Sequence, residues 1–517
     1  MHFASFEFIL FLIILVVLYY LIPRKWQWVL LLAASYVFYS FAGVGNFAYI
    51  LITTITTWLV AIKMDKMRQH QSDYLARMKK EMSREDRKAY KAEIKARQRK
   101  WLIACLVVNF GILAVLKYAG YFQISSSLGL VLPLGISFYT FQSMGYLIDV
   151  YRGTYESEKN LAKLALFISF FPQLIQGPIS RFNQLKETLF AEHTFDSKNI
   201  SYGLMRILWG FFKKLVIADR LFYAVSTIIS SPNEYQGAYI LAGMFFYAIE
   251  LYADFTGGID IAIGSAQLLG IRLNENFQLP YFSKSIAEYW RRWHITLGTW
   301  FKDYLFYPIS VSKTMLNLSK KARKTLGDGV AKRLPIYIAS IIVWFTTGVW
   351  HGSSWNFIVW GLMNCFVILV SQECVPLYNK FHERFPEAGR TGWYRLFQVV
   401  RTFWLMSFIR TLDLYPQVGT TFRLYASVFT VWNLPELFQG GLMQLGLTGA
   451  DYIVLAAAVG LMLFVSLKSR SESFLEKVSS RPIVVRYATY FAIFVFILIF
   501  GAYGIGYDSN QFIYSRF

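Results

Sequence analysis

A series of long apolar runs is the feature that most constrains how this chain folds. Residues 8–22, 101–118 and 487–503 each approach 20 residues with almost no charge. A helix needs about 20 apolar residues to cross a bilayer, and helices satisfy their own backbone groups in lipid. The pattern therefore predicts an all-α polytopic membrane protein, with roughly eleven to thirteen spanning or re-entrant helices. We expect one integral-membrane domain over residues 1–517.

Charge and cysteine content exclude several other classes of protein. The chain has 52 Lys and Arg against 31 Asp and Glu, a net charge of +21. In a membrane protein such an excess marks cytoplasmic loops and contact with anionic lipids, and we expect no nucleic-acid partner. Cys105, Cys365 and Cys374 lie in or beside apolar segments without Cys-x-x-Cys spacing. The cysteines therefore predict neither a disulfide framework nor a metal site.

The positive-inside rule predicts on which side of the membrane each loop lies. Residues 8–22 are followed by Pro23-Arg24-Lys25 and lack a cleavage site, so we expect a retained span with its amino terminus outside. Residues 63–100 are highly charged and rich in helix formers, which predicts a cytoplasmic helical insertion. A solvated face that keeps the loop inside is favoured over protein docking. Residues 313–333 form a second basic, cytoplasmic stretch.

Two apolar segments contain helix breakers. Residues 131–150 include Pro133, Gly135 and Gln142, and residues 167–180 include two prolines and a glycine. Broken backbone at membrane depth must face protein or water, so these segments predict either cavity-lining, re-entrant structure or kinked structural helices.

Three carboxylates, Glu250, Asp254 and Asp260, fall in one apolar neighbourhood. Glu250 and Asp254 share a helix face at spacing i, i+4. Such groups hold a basic partner, orient a histidine or line a polar path, and ion pairing with a nearby arginine is the favoured role for at least two of them.

Ser285-Ile-Ala-Glu288 has the form of a capping box, so we predict a helix from Ser285 through Tyr304. An aromatic stripe would follow one face, with Arg291 and His294 on another. The cationic residues would meet lipid headgroups, the interpretation favoured without further information, or an anionic ligand.

His351 is the most informative titratable residue. It lies in the Trp- and Gly-rich run 344–361, where an ionisable group at membrane depth is costly and predicts a functional site. A histidine that only bonds a neighbour at a helix end is an equal alternative.

Five separated segments, in order, resemble the membrane-bound O-acyltransferase family, in its bacterial branch of alginate O-acetyltransferases and D-alanyl-teichoic-acid transferases. The matching stretches are Phe-Phe-Pro-Gln-Leu-Ile-Gln-Gly-Pro-Ile (170–179), Tyr-Ala-Asp-Phe-Thr-Gly-Gly-Ile-Asp-Ile-Ala-Ile-Gly (252–264), Leu-Asn-Glu-Asn-Phe-Gln-Leu-Pro-Tyr (273–281), Tyr-Trp-Arg-Arg-Trp-His-Ile-Thr-Leu (289–297) and Gly-Val-Trp-His-Gly-Ser-Ser-Trp-Asn-Phe (348–357). The two histidine-bearing stretches are the most specific.

The resemblance implies a central tunnel with His351 and His294 as catalytic residues. Burial disfavours imidazolium, so a neutral His351 would accept the proton of an attacking hydroxyl, while a dry site limits hydrolysis. Candidate substrate-binding residues are Arg291, Arg292, Asp254, Trp350 and Asn356.

The resemblance also implies a reaction without a bound cofactor or metal. The donor would be acyl-CoA or an acylated carrier protein, and the acyl group, acetyl by expectation, would pass to an exported polysaccharide, with an extracytoplasmic protein as relay. The location would be the bacterial cytoplasmic membrane, among membrane lipids. Alternatives are D-alanyl transfer to teichoic acid, a transporter or flippase, which the lack of an inverted repeat disfavours, and a scaffold in which both histidines are dispensable.

Overall fold

The computed structural model describes residues 2–118, 132–469 and 473–503, which form helices with no strand among them. Numbered in chain order, these are α1 (Phe6–Leu21), α2 (Gln27–Ser40), α3 (Phe47–Arg77), α4 (Arg84–Tyr118), α5 (Ile136–Arg152), α6 (Leu161–Ser169), α7 (Phe171–Leu174), α8 (Phe182–Leu189), α9 (Ser197–Phe211), α10 (Asp219–Ser230), α11 (Ala238–Leu268), α12 (Ile286–Arg292), α13 (Ile295–Phe301), α14 (Tyr307–Ser310), α15 (Lys313–His351), α16 (Trp355–Glu373), α17 (Val375–Arg384), α18 (Gly392–Arg410), α19 (Val418–Thr430), α20 (Leu434–Phe438), α21 (Gly449–Lys468), α22 (Phe474–Ser479) and α23 (Ile483–Phe500).

An all-α polytopic membrane architecture is confirmed. Within the described part of the chain, seven helices are long and apolar enough to cross a membrane, and these are Val44–Arg77, Arg84–Tyr118, Ala238–Leu268, Lys313–His351, Trp355–Glu373, Gly449–Lys468 and Ile483–Phe500. The larger count expected from the sequence included shorter or interrupted segments, such as α1 and α5.

The chain divides into two compact units. The first contains residues 2–203 and 265–274, and the second contains residues 204–264 and 275–503 of the described chain. The prediction of a single domain over residues 1–517 stays a prediction.

The first unit contains the charged stretch 63–100 and both interrupted segments. Residues 63–77 and 84–100 are the ends of α3 and α4, so this stretch is helical as predicted. Residues 167–180 break into the end of α6, the single turn α7 and non-helical chain, and Gln142 of α5 donates to Gln173 inside this broken region. The interruption is confirmed, and protein side chains surround it.

The second unit is built around a buried ion-pair network. Residues Phe212–Ala218 are π-helical, and this widened turn places two consecutive lysines inside. Lys213 lies 2.6 Å from Asp260, which also bonds Arg206 at 2.9 Å. Lys214 lies 2.7 Å from both Asp254 and Asp219. Buried charges persist only when paired, so α11 is tied by its carboxylates to the chain around the π-helical turn.

The helix predicted from Ser285 through Tyr304 is interrupted, which corrects that prediction. Ser285 caps α12 as expected, accepting from the Glu288 N–H at 3.2 Å. The chain then leaves helical geometry at Trp293 and turns left-handed at His294, with φ +48°, before α13 begins. Residues Lys302–Phe306 continue from α13 as a π-helix.

A close hairpin of α15 and α16 follows the basic stretch 313–333, which is helical with an interruption at Gly327. Gly348 and Gly361 face the opposite backbone. A Cβ atom on Gly348 would lie 2.5 Å from the Phe357 carbonyl oxygen, and one on Gly361 would lie 2.3 Å from that of Trp344. Only glycine permits this approach, and it sets the end of α15 against the start of α16.

We expect Asp260→Asn to destabilise the protein by about 3–5 kcal/mol, because it leaves Lys213 buried without its carboxylate. Thermal unfolding in detergent measures the loss. Arg390→Ala is the matched control, since it removes an ion pair with Glu387 in which both side chains are more than three-quarters exposed, worth about 0–1 kcal/mol. Equal melting shifts for the two variants would contradict a stabilising network.

Candidate active site

A cavity of about 490 Å³ lies within the second unit. Its walls come from α11, α12, α13, the π-helical turn after α13, and α15, and α16 and α18 also contribute. The α15 wall consists of Ser340, Val343, Trp344, Thr347 and His351, spaced as one face of a helix. From Ser340 to His351 the helix advances by eleven residues, so the lined face is roughly 16 Å long.

His294 enters this cavity from the break between α12 and α13. The residue is 3% exposed, and its ring packs edge-on to Phe255, with centroids 5.0 Å apart. It lies outside the seven candidate spans. Burial, together with the positive charge of Arg410, lowers the pKa of His294 to about 3. The imidazole is therefore neutral near pH 7.

His351 is the last residue of α15 and lines the same cavity. Gly352 follows in an extended conformation and ends the helix. The His351 ring packs against Trp360 and Trp350, with centroid distances of 4.6 and 4.8 Å. The ring of Trp350 also packs against that of His294, with the ring centroids 6.4 Å apart. The structure thus brings both predicted histidines to one cavity, with the Trp350 ring in contact with each.

The two arginines predicted to bind substrate have different surroundings. Arg291 is exposed and lines the cavity, as does exposed Lys302, so both mark its open end. Arg292 pairs instead with Glu288 at 2.7 Å and is not among the lining residues. Arg291 is therefore better placed than Arg292 to meet a ligand at the mouth.

The remaining predicted residues lie beside the cavity and are not among those that line it. Asp254 bonds Lys214, so its favoured role as an ion-pair partner is confirmed, although the partner is a lysine. Asn356 donates to the Leu412 carbonyl at 2.7 Å and fixes the turn after α18. Trp350 is 7% exposed. Direct contact of these three with substrate stays a prediction.

The sequence reasoning missed Arg410 and Asp413, which both line the cavity. The Arg410 guanidinium lies 4.9 to 5.3 Å from the ring centroids of Trp293, Trp290 and Trp360, and it pairs with Asp413 at 3.2 Å. Burial raises the pKa of Asp413 to about 6, so at neutral pH it is ionised and balances Arg410. An arginine and an aspartate three residues apart in the aromatic run 402–413 were the available signal.

This arrangement suits acyl transfer to a hydroxyl. A neutral imidazole accepts a proton, a mainly apolar wall limits contact with water, and a nearby cation stabilises negative charge that develops on a carbonyl oxygen. Both histidines and Arg410 line one cavity whose only strongly exposed charges, among the lining residues, are at the mouth.

Comparisons with known proteins agree with this chemistry. The profile of the membrane-bound O-acyltransferase family matches residues 157–415, which include every residue that lines the cavity. The "Probable alginate O-acetylase AlgI" of Azotobacter vinelandii is 31% identical, over 88% of this chain and 84% of the relative. The chain belongs to the membrane-bound O-acyltransferase family. It is an O-acyltransferase.

Two other relatives differ in their named acceptors. The peptidoglycan O-acetyltransferase of Helicobacter pylori is 29% identical, over 76% of this chain and 72% of the relative. The teichoic acid D-alanyltransferase of Bacillus subtilis is 29% identical, over 53% of this chain and 67% of the relative. The similarity to O-acetylases thus extends over more of this chain than the similarity to the D-alanyltransferase.

We expect Gly348→Ala to reduce acyl transfer at least tenfold and to cost about 1–3 kcal/mol of stability, because the new methyl group overlaps the Phe357 carbonyl and displaces His351. Gly460→Ala is the control, since its Cβ would meet nothing within 4 Å. Activity per folded protein and melting temperature are measured for both. Wild-type behaviour of Gly348→Ala would show that close packing of α15 on α16 does not set the position of His351.

Proposed function

We propose that this O-acyltransferase takes an acyl group, acetyl by preference, from a cytoplasmic thioester and passes it toward a hydroxyl of an exported polysaccharide, in the bacterial cytoplasmic membrane. One observation carries the proposal. His294 and His351, which are 57 residues apart in the sequence, line one mainly apolar cavity that Arg410 also lines. The proposal has a donor side, a chemical step and an acceptor side.

The charge distribution supports entry of the donor from the cytoplasm. Arg291 and Lys302 mark the cavity mouth, and the segment after Lys302 leads directly into the basic start of α15, residues 313–333. Acyl-CoA and the prosthetic arm of an acyl carrier protein both carry phosphate, which guanidinium and ammonium groups bind well. The apolar interior suits the thioester end of the arm. The donor carries the acyl group, and the enzyme needs no bound cofactor for this step.

The chemical step transfers one acyl group and one proton. The acceptor hydroxyl oxygen attacks the thioester carbonyl carbon while its proton passes to a ring nitrogen of His351. The carbon–sulfur bond then breaks, and the leaving thiolate takes that proton, so the products are an ester and a free thiol. His294 positions or polarises the reacting groups, and Arg410 stabilises the carbonyl oxygen as it becomes negative.

Similarity to the alginate O-acetylases supports a polysaccharide acceptor, and an extracytoplasmic protein is the proposed relay. His351 lies at the far end of α15 from its basic start. Eighteen residues separate Arg333 from His351, a helical rise of roughly 27 Å, close to the thickness of the hydrocarbon core. An acceptor at the outer face would therefore reach His351 from the side opposite the donor. Transfer of D-alanine to teichoic acid is the second candidate, supported by the shorter similarity to a D-alanyltransferase.

We expect His351→Ala to lower acyl transfer about 10²- to 10⁴-fold, the usual contribution of a positioned general base. O-acyl groups on the exported polymer are measured in cells at equal membrane abundance. Thioester-dependent transfer of labelled acyl groups is measured with purified protein in detergent. His382→Ala is the matched control, because His382 lies on α17, outside the cavity lining.

Unchanged acylation in His351→Ala would overturn the proposed step. A transporter would export the polymer precursor without consuming thioester, and a scaffold would tolerate loss of both histidines. The labelled-thioester assay and the double variant His294→Ala, His351→Ala separate these alternatives from the enzyme.

We expect Arg291→Ala combined with Lys302→Ala to raise the KM for the thioester donor at least tenfold, with a smaller change in kcat, since even one charge-assisted contact contributes about 1.5–3 kcal/mol. The KM of the wild type should also rise with ionic strength more steeply than that of the variant. Lys380→Ala combined with Arg390→Ala removes two exposed charges outside the cavity lining and serves as the control. A donor KM independent of Arg291 and Lys302 would contradict phosphate binding at this mouth.

A further inference from the structure

Asn276 is buried beside His294 without lining the cavity. It is 0% exposed and lies in the non-helical segment between α11 and α12. The backbone carbonyl oxygen of Asn276 accepts a hydrogen bond from the Ile295 N–H at 3.0 Å. The backbone N–H of Gln278 donates to the backbone carbonyl of Arg292 at 2.9 Å. These two backbone bonds lie on either side of His294 in the sequence. They hold the chain where it departs from helical geometry.

The hydrogen bonds of the Asn276 side chain show which atom of its amide is the oxygen. One atom of the amide lies 3.0 Å from both the N–H and the hydroxyl of Thr296. A backbone N–H can only donate, so this atom must be the acceptor, Oδ1. The same Oδ1 lies 3.3 Å from Nδ1 of His294. Because Oδ1 cannot donate, Nδ1 must carry the hydrogen of this bond.

We propose that Asn276 is a positioning residue that fixes His294 as the Nδ1–H tautomer, so that Nε2 keeps its lone pair and serves the reaction as a proton or hydrogen-bond acceptor. The inference rests on the proposed function in one respect, the participation of His294 in acyl transfer. Asn276 acts through His294 and through the left-handed backbone there, at φ +48°.

The charges that face His294 set the expected pH dependence. Arg291, Lys302, Arg410, Asp413 and His351 line the same cavity. Burial, and after it the positive charge of Arg410, keeps the pKa of His294 low, at about 3. A carboxylate at position 276 would accept the same hydrogen bonds and add a negative charge next to Nδ1–H. It would favour imidazolium and raise the pKa of His294.

The first variants test the acceptor. We expect Asn276→Ala to lower kcat about 10- to 100-fold, by analogy with the loss seen when a residue that orients a metal-bound histidine is removed, while the KM for acetyl-CoA changes little. Asn109→Ala removes a buried asparagine of α4 in the first unit, and the wild-type rate is expected. Asn276→Ala combined with His294→Ala should be no slower than His294→Ala alone. A wild-type rate in Asn276→Ala, or fully additive losses in the double variant, would overturn the proposal.

Asn276→Asp provides a measurement that a purely structural role would not move. His294 loses its Nε2 lone pair below its pKa, so raising that pKa moves the acidic limb of the kcat profile to higher pH. We expect Asn276→Asp to retain most activity at pH 8 and to lose it toward pH 5 more steeply than the wild type. The shift of the acidic limb should be absent in Asn276→Asp combined with His294→Ala.

A profile for Asn276→Asp that superimposes on the wild type would refute the tautomer assignment. The His351→Ala variant, measured in parallel, distinguishes a failure of the role of Asn276 from a failure of the proposed function. If His351→Ala is inactive while the Asn276 variants behave as wild type, only the role of Asn276 fails. If His351→Ala is fully active, the proposed function fails.

Discussion

Every charge that this chain buries must find a partner inside an apolar helical framework, and this requirement shapes the second unit. Arg410 illustrates it best, because its guanidinium is surrounded by three tryptophan rings and paired with Asp413. A cation held this way stays charged in a medium where its field is weakly screened. Its field disfavours protonation of His294 and is available to a carbonyl oxygen in the same cavity. One buried pair therefore connects the stability of the site with its chemistry.

The same requirement explains where the helices break. Irregular backbone buried away from water persists only where protein satisfies its hydrogen bonds. The break between α12 and α13 meets this condition because Asn276 and Gln278 bond to residues on either side of it. The π-helical turn at Phe212–Ala218 likewise directs two lysines toward carboxylates. In both of these places the distorted backbone brings polar groups together with hydrogen-bond or ion-pair partners.

Local patterns predicted much of this fold, and long-range contacts account for the failures. Apolar run length predicted the spanning helices, and Ser285 predicted the start of α12. The interruption at His294 was missed because the residues on both sides keep helical spacing, while the cause of the break lies at Asn276, eighteen residues earlier. Arg410 was missed because an arginine at a helix end resembles an interfacial anchor. Only the three-dimensional meeting of Trp290, Trp293 and Trp360 makes it a buried cation.

The composition of the cavity bears on why relatives with different acceptors share this family. In the proposed mechanism its histidines and Arg410 act on a carbonyl group and a hydroxyl, and both the acetyl and the D-alanyl group are transferred through a carbonyl. The phosphate-bearing arm that we propose for the donor would be bound by the mouth residues Arg291 and Lys302, which is also independent of the acceptor. Nothing in these interactions distinguishes one exported polymer from another. If the proposed mechanism holds, selection of the acceptor depends on residues beyond the cavity or on the proposed relay protein, and the reaction centre can stay the same while the polymer changes.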